Sequence, residues 1–173
     1  MSRSGAVTFK GTPLTLVGDA LEVGDSAPDF TLHRFADGGM QTVTLEDLLG
    51  KVSIISVVPS LDTSTCALQT KTFNEKLASF GGKLNALTVS CDLPFAQNRF
   101  CGAENIENMV WASDYQTRDF GKDYGMLIKE LKLLARGIFI LDAEGKILYT
   151  QVVPEVANEP DYDAALKVLE ENL

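Results

Sequence analysis

Apolar and polar positions alternate with a period of two near the N-terminus. Val7-Thr8-Phe9 and Leu14-Thr15-Leu16-Val17 flank the turn residues Lys10-Gly11-Thr12-Pro13, so a β-hairpin is expected over 6–17. The breaker cluster Gly24-Asp25-Ser26-Ala27-Pro28 follows, then a short strand through Asp29-Phe30-Thr31-Leu32 and a turn at Asp37-Gly38-Gly39. Thr44 to Gly50 reads as one helical turn with Thr44 as cap and Gly50 as stop. Val52 to Val58 is β-branched and almost wholly apolar, which is how a strand buried on both faces reads. From Cys66 to Phe80 the period lengthens: Leu68, Phe73, Leu77 and Phe80 fall near helical spacing, and Gly81-Gly82 ends the run. Leu84 to Ser90 is a second buried-type strand. Pro94 to Phe100 forms a short helix, with Asp92 as its expected cap and Pro94 in its first turn.

Met109-Val110-Trp111 is a third short strand, and Thr117 to Gly125 a short helix closed by glycine. Gly137–Leu141 and Lys146–Thr150 flank Asp142-Ala143-Glu144-Gly145, a hairpin signal. Asp161 to Asn172 is an amphipathic helix with Ala165, Leu166 and Leu169 as its stripe, and the paired acids Asp161 and Asp163 are charges at its start. Strand–helix alternation in the middle of the chain requires parallel crossovers, and the late hairpin adds antiparallel strands. The expected fold is α/β, a mixed central sheet with helices on both faces. It forms one domain over 1–173, with the N-terminal β-hairpin as an extension over 1–20. No repeat, low-complexity tract or linker interrupts it.

Composition narrows the chemistry more than the fold. The 173 residues carry 24 acidic against 15 basic side chains, a net charge of −9, which argues against nucleic acid and against an anionic membrane surface as partners. No apolar run approaches the ~18 residues of a membrane span. Met1 to Gly5 contains no apolar signal core, so a cytoplasmic protein is expected. The single histidine, His33, leaves no material for a histidine-based triad or metal site. Cys66, Cys91 and Cys101 contain no C-x-x-C pair. That count fits a reducing compartment, and the three thiols with His33 lack the close ligand pairs of a zinc site. No metal or cofactor is expected.

The informative stretch is Pro59-Ser60-Leu61-Asp62-Thr63-Ser64-Thr65-Cys66. A buried strand ends at Pro59, a polar loop follows, and Cys66 falls in the first turn of the next helix. Asp62, Thr63, Ser64 and Thr65 all carry side-chain oxygens able to cap it. Free N–H groups and the helix dipole at such a site stabilise a thiolate, which can attack the O–O bond of a peroxide and leave a sulfenic acid. Taken alone, a cysteine here reads better as a small core residue, but a run of four capping-type residues between Pro59 and Cys66 is a poor place for an inert one.

The surroundings of Cys66 resemble the peroxiredoxins. Their pattern P-x-x-x-[ST]-x-x-C is met by Pro59, Thr63 and Cys66. Asp92 to Gly102, the N-terminal hairpin and Glu159-Pro160-Asp161-Tyr162 are similar to the bacterial thiol peroxidase subfamily, over nearly the whole chain. The resemblance implies a thioredoxin-like fold. It implies Cys66 as the peroxidatic cysteine, Thr63 as hydrogen-bond partner of peroxide and thiolate, and Pro59 as the shield against water. It also implies that Arg136, in Leu134-Ala135-Arg136-Gly137, is the guanidinium beside the thiolate, where it stabilises charge building on the leaving oxygen. Cys101 is implied as the resolving thiol, closing an intramolecular disulfide with Cys66 that thioredoxin reduces. Because both thiols sit on separate helices, the second helix is expected to open locally. A homodimer and a leaning toward alkyl and lipid hydroperoxides over hydrogen peroxide are implied in the same way. The family requires no cysteine at position 91, and Cys91 reads as a structural thiol.

Two other classes compete. A redox sensor or disulfide relay would use the same cysteines but pass oxidation to a partner protein. A binding module of the same fold would leave Cys66 inert toward peroxide.

Overall fold

The computed structural model describes residues 1–173. Strands β1 (Ser2–Phe9) and β2 (Thr12–Val17) form the expected hairpin, which starts earlier than its alternation suggested because a bulge between Arg3 and Val7, around Gly5, breaks the period. Strands β3 (Thr31–Ala36) and β4 (Gly39–Thr44) pair antiparallel across the Asp37–Gly38 turn. The second of them is too polar and exposed to show an apolar period. Strands β5 (Val52–Val57), β6 (Leu84–Ser90), β7 (Val110–Ser113), β9 (Gly137–Leu141) and β10 (Ile147–Val152) complete a seven-stranded mixed sheet in the order β10-β9-β5-β6-β7-β3-β4. Only β5–β6 and β6–β7 are parallel. The two-residue β8 (Leu127–Ile128) adds to β2, turning the hairpin into a separate three-stranded sheet.

Helices α1 (Ser64–Leu77), α2 (Pro94–Ala103) and α4 (Tyr162–Glu171) cover one face, while α3 (Asp119–Asp123) and the N-terminal sheet cover the other. The sheet alternates accordingly. Ile54, Ile138 and Ile140 point to the α1–α2–α4 side with Phe73, Leu77, Ala165 and Leu169, whereas Ile55, Val57, Phe139 and Leu141 meet Phe120, Tyr124, Leu14 and Leu16. Phe73 is fully buried, and cutting it to alanine would cost about 3–5 kcal/mol. No helix is long and apolar enough to cross a membrane.

Three local expectations are corrected. α1 ends at Leu77 and gives way to a 3-10 segment, Ala78–Lys83, broken where Gly81 takes φ 58°. Leu68, expected in the apolar stripe of α1, is instead exposed. Asp92 does not cap α2: the N-cap position belongs to Leu93, and the Asp92 carboxylate turns back to Ser60, Leu61 and Ser90. The Asp161 side chain does cap α4, accepting from the Ala164 N–H at 3.0 Å.

Candidate active site

β5 runs out at Val57, and the chain turns through buried Pro59 and a polar loop into α1. Thr63 occupies the N-cap position with extended backbone, yet its side chain does not cap. Its hydroxyl donates to the Ser60 carbonyl at 3.0 Å, so the first N–H groups of α1 are left without a helical or side-chain acceptor. Cys66 lies in this first turn and is fully buried, packed with Val58, Leu61 and Phe100.

Arg136 comes from the strand next door: it immediately precedes β9, whose Gly137 pairs with Val57 at the end of β5. The Ala135 N–H donates to the Met126 carbonyl at 2.7 Å and the Arg136 carbonyl accepts from Val153 N–H at 2.9 Å, which pins the backbone at the start of β9. Gly137 follows because a Cβ there would collide with the Gln151 carbonyl of β10. The guanidinium, 2% exposed, is held at three points. Nε donates to the Val156 carbonyl at 2.8 Å, Nη1 to Gln69 Oε1 at 2.9 Å, and Nη2 to Cys66 Sγ at 3.2 Å. No carboxylate forms a salt bridge with it. A buried cation without a carboxylate is costly unless another anion faces it, and the only candidate in contact is the sulfur of Cys66.

The sequence reading missed Gln69. It is fully buried, and its Nε2 donates to Ser56 Oγ at 2.8 Å while its oxygen accepts from Arg136, so β5 fixes the guanidinium through α1. The signal lay in a polar pair, Gln69-Thr70, on the helix face that also carries Cys66 and Phe73. The hairpin was not read as part of the site either. Thr8 exchanges backbone hydrogen bonds with Pro154 and Val156, each at 2.8 Å, and so braces the loop whose carbonyl holds Arg136. Glu155 accepts from Ala157 N–H, Gly11 N–H and Thr8 Oγ1, and these donors, Ala157 foremost, hold its carboxyl down at about 2. Thr65 Oγ1 donates to Ala157 carbonyl at 3.2 Å, tying the first turn of α1 to the same loop.

A cavity of about 280 Å³ opens in front of this arrangement. Pro59, Thr63 and Arg136 line its floor with Ser60, and Phe9, Ile128, Leu131 and Leu133 contribute apolar wall. Pro59, Thr63 and Arg136 thus share the cavity, while Cys66, fully buried and not on its lining, meets Arg136: a buried sulfur against a cation, with unpaired N–H groups and an apolar approach. Such a site can hold a thiolate and present donors to an oxygen pair arriving from the cavity.

Cys101 stands apart. It is a free, buried thiol on α2 among Phe73, Leu77, Ile106 and Met109, with no bond to Cys66. Burial pushes its thiol up to about 12, opposed by the charge of Arg34. Its neighbour Phe100 packs against Cys66, so α2 touches the site while its thiol faces away into another cluster. Cys91 follows β6 in the other core, where burial, with Asp114 adding to it, raises its thiol to about 12. His33 lies on β3 with its ring edge-on to Tyr115. It lines a wider, open depression of about 540 Å³ with Asp29, Glu46, Asp119 and Asp123, which holds neither thiol nor cation.

Comparison with known proteins places this chain in a family. The model described as Redoxin matches residues 22–166. A thiol peroxidase of Listeria innocua is 48% identical over 161 residues, covering 93% of this chain and 95% of that protein. The thiol peroxidase of Bacillus subtilis is 47% identical with 93% and 94% covered. Among solved structures, a peroxiredoxin-like protein from Aquifex aeolicus superposes with a TM-score of 0.87 at 42% identity, covering 99% and 98% of the two chains. A thiol peroxidase from Chromobacterium violaceum superposes at 0.82 with 24% identity and 95% of each chain covered, a likeness of fold.

Proposed function

The chain belongs to the redoxin family, as a thiol peroxidase of the peroxiredoxin type that reduces peroxides, and from that premise we propose that Cys66 carries out the attack. The Cys66 sulfur displaces an alkoxide or hydroxide from the peroxide. An S–O bond forms as the O–O bond breaks, Cys66 becomes a sulfenic acid, and the leaving oxygen takes a proton from water. Arg136 stabilises the charge on sulfur and on the departing oxygen, Thr63 and the first N–H groups of α1 orient the peroxide, and Pro59 keeps water from the sulfur. The observation that carries this reading is the 3.2 Å contact between Arg136 Nη2 and Cys66 Sγ at a buried guanidinium that no carboxylate neutralises.

Cys101 then attacks the sulfenic sulfur. The Cys66–Cys101 disulfide forms as the hydroxyl leaves and takes up the Cys101 proton as water. An external dithiol, thioredoxin by the family resemblance, reduces the disulfide, and the assembly is a homodimer on the same ground. The apolar walls of the cavity, Phe9, Ile128, Leu131 and Leu133, suit alkyl and lipid hydroperoxides better than hydrogen peroxide. The test is a count of free thiols before and after one equivalent of cumene hydroperoxide. A fall from three to one, with a monomeric mass on non-reducing denaturing gels and Cys66 linked to Cys101 by peptide mapping, is expected. Survival of all three would overturn the assignment. A fall in thiols without peroxide turnover when thioredoxin is supplied would favour a relay to a partner protein.

A further inference from the structure

The segment after β6 contains a carboxylate that none of the chemistry above uses. Asp92 accepts three short hydrogen bonds: Ser60 Oγ at 2.6 Å on one oxygen, and the Leu61 N–H at 2.8 Å and Ser90 Oγ at 2.7 Å on the other. No cation forms a salt bridge with it, so its negative charge is spent on these donors, which are the stronger for it. Two of the three donors belong to the loop that enters α1. Both residues bear on the reacting sulfur: Leu61 packs against Cys66, and Ser60 lines the cavity and offers the carbonyl that holds the Thr63 hydroxyl. Ser60 Oγ also accepts from the Asp62 N–H at 3.2 Å.

The far side of the network is rigid. Ser90 Oγ accepts from Gln97 Nε2 at 2.9 Å, and the same nitrogen donates to the Ala112 carbonyl of β7 at 2.9 Å. Gln97 is fully buried in α2. The loop that presents Thr63 and Cys66 is therefore anchored through one carboxylate to the sheet and to the foot of the helix that carries Cys101.

We propose that Asp92 is a positioning residue of the peroxidase site, holding the Ser60–Leu61 turn in the placement that sets Thr63 and the first turn of α1 against an incoming peroxide. The proposal rests on Cys66 being the attacking sulfur. Peroxide cleavage needs donors and sulfur aligned on one oxygen pair, and small misplacements of such groups are expensive. Alkylation of the same sulfur needs a thiolate and access, without that alignment.

The test compares the two reactions in single turnover, with Cys101→Ser as the background that isolates the first step. Asp92→Asn keeps the side-chain shape and removes one acceptor, and Ser60→Ala removes one donor without touching the carboxylate. Oxidation by cumene hydroperoxide is expected to slow on the order of ten- to a hundredfold in Asp92→Asn and by less in Ser60→Ala. Alkylation of Cys66 by iodoacetamide is expected to stay within about twofold in both. Unchanged oxidation in both variants overturns the proposal. An equal fall in oxidation and alkylation also overturns it, leaving Asp92 as a support of the fold alone. Failure of the background protein itself to oxidise at Cys66 sinks the attack assignment and takes this inference with it.

Discussion

Arg136 Nη2 stands 3.2 Å from Cys66 Sγ, and the two side chains reach each other from residues seventy positions apart, one at the start of a helix and one at the start of a strand. Each of the three guanidinium nitrogens has one acceptor, a carbonyl, an amide oxygen and the sulfur, so its direction is fixed before any substrate arrives. Arg136→Met removes the only cation in contact with the sulfur. Its peroxide reaction is expected to slow by about 10²–10³ in stopped-flow oxidation. Arg136→Lys restores little, since a single ammonium cannot meet three acceptors in the geometry of a planar fork.

Gln69 acts one step away, through Arg136. Gln69→Leu strips Arg136 Nη1 and Ser56 Oγ of their shared partner inside the core. A stability loss of about 1–3 kcal/mol is expected in urea unfolding. Because the guanidinium is freed to turn, the peroxide rate falls as well, about tenfold in competition assays. An unchanged rate in a destabilised protein would reduce Gln69 to a packing residue.

In the proposed cycle, Cys101→Ser leaves the sulfenic acid of Cys66 without its resolving thiol. Excess peroxide is then expected to carry Cys66 on to the sulfinic acid, which intact-protein mass spectrometry reads as two added oxygen atoms. Wild-type protein under the same excess should instead lose two hydrogens as the disulfide forms. Trp111, the single tryptophan, packs with the cluster around Cys101 beneath Arg34, at 4.6 Å from ring centre to guanidinium. Its emission is therefore expected to change on oxidation of wild-type protein and to stay nearly constant in Cys101→Ser.

Alkaline pH should loosen α2. Burial raises the Cys101 thiol from an ordinary value of 9.0 to about 12. An opened helix releases that proton near pH 9, whereas the closed one keeps it until about 12. The stability this thiol gives the closed form is therefore whole below pH 9 and is lost as pH rises toward 12. Amide exchange over residues 94–103, corrected for intrinsic base catalysis, should accelerate across that window in wild-type protein and not in Cys101→Ser.

Much of this was legible along the chain. The parallel strands β5 and β6 declared themselves as unbroken apolar runs, since strands buried on both faces have no polar positions to spare. The position of Cys66 at a helix entry followed from Pro59 and the polar run Asp62–Thr65, although the Thr63 side chain does not cap α1. β4 and β8 were not legible: one is an exposed edge strand with little apolar content, and the other is two residues long and exists only because β2 lies beside it. Asp92 misled because an acid just before a proline-led helix is an ordinary cap in local terms, whereas three donors from elsewhere outcompete that role.

What the order of residues determined by itself is local: the period of each element, the entry into α1 and the identity of the thiol at its head. These depend on neighbours a few positions away, which is the range over which helix and strand periodicity and capping act. Only the tertiary structure decided that Gln69 and Val156 would aim Arg136 at Cys66, that the N-terminal hairpin would brace the loop carrying Val156, and that Asp92 would face the Ser60–Leu61 turn. Those contacts join residues tens of positions apart. They arise from packing α1, α2 and the hairpin around one sheet, where every buried polar group must find a partner wherever the fold brings one within reach.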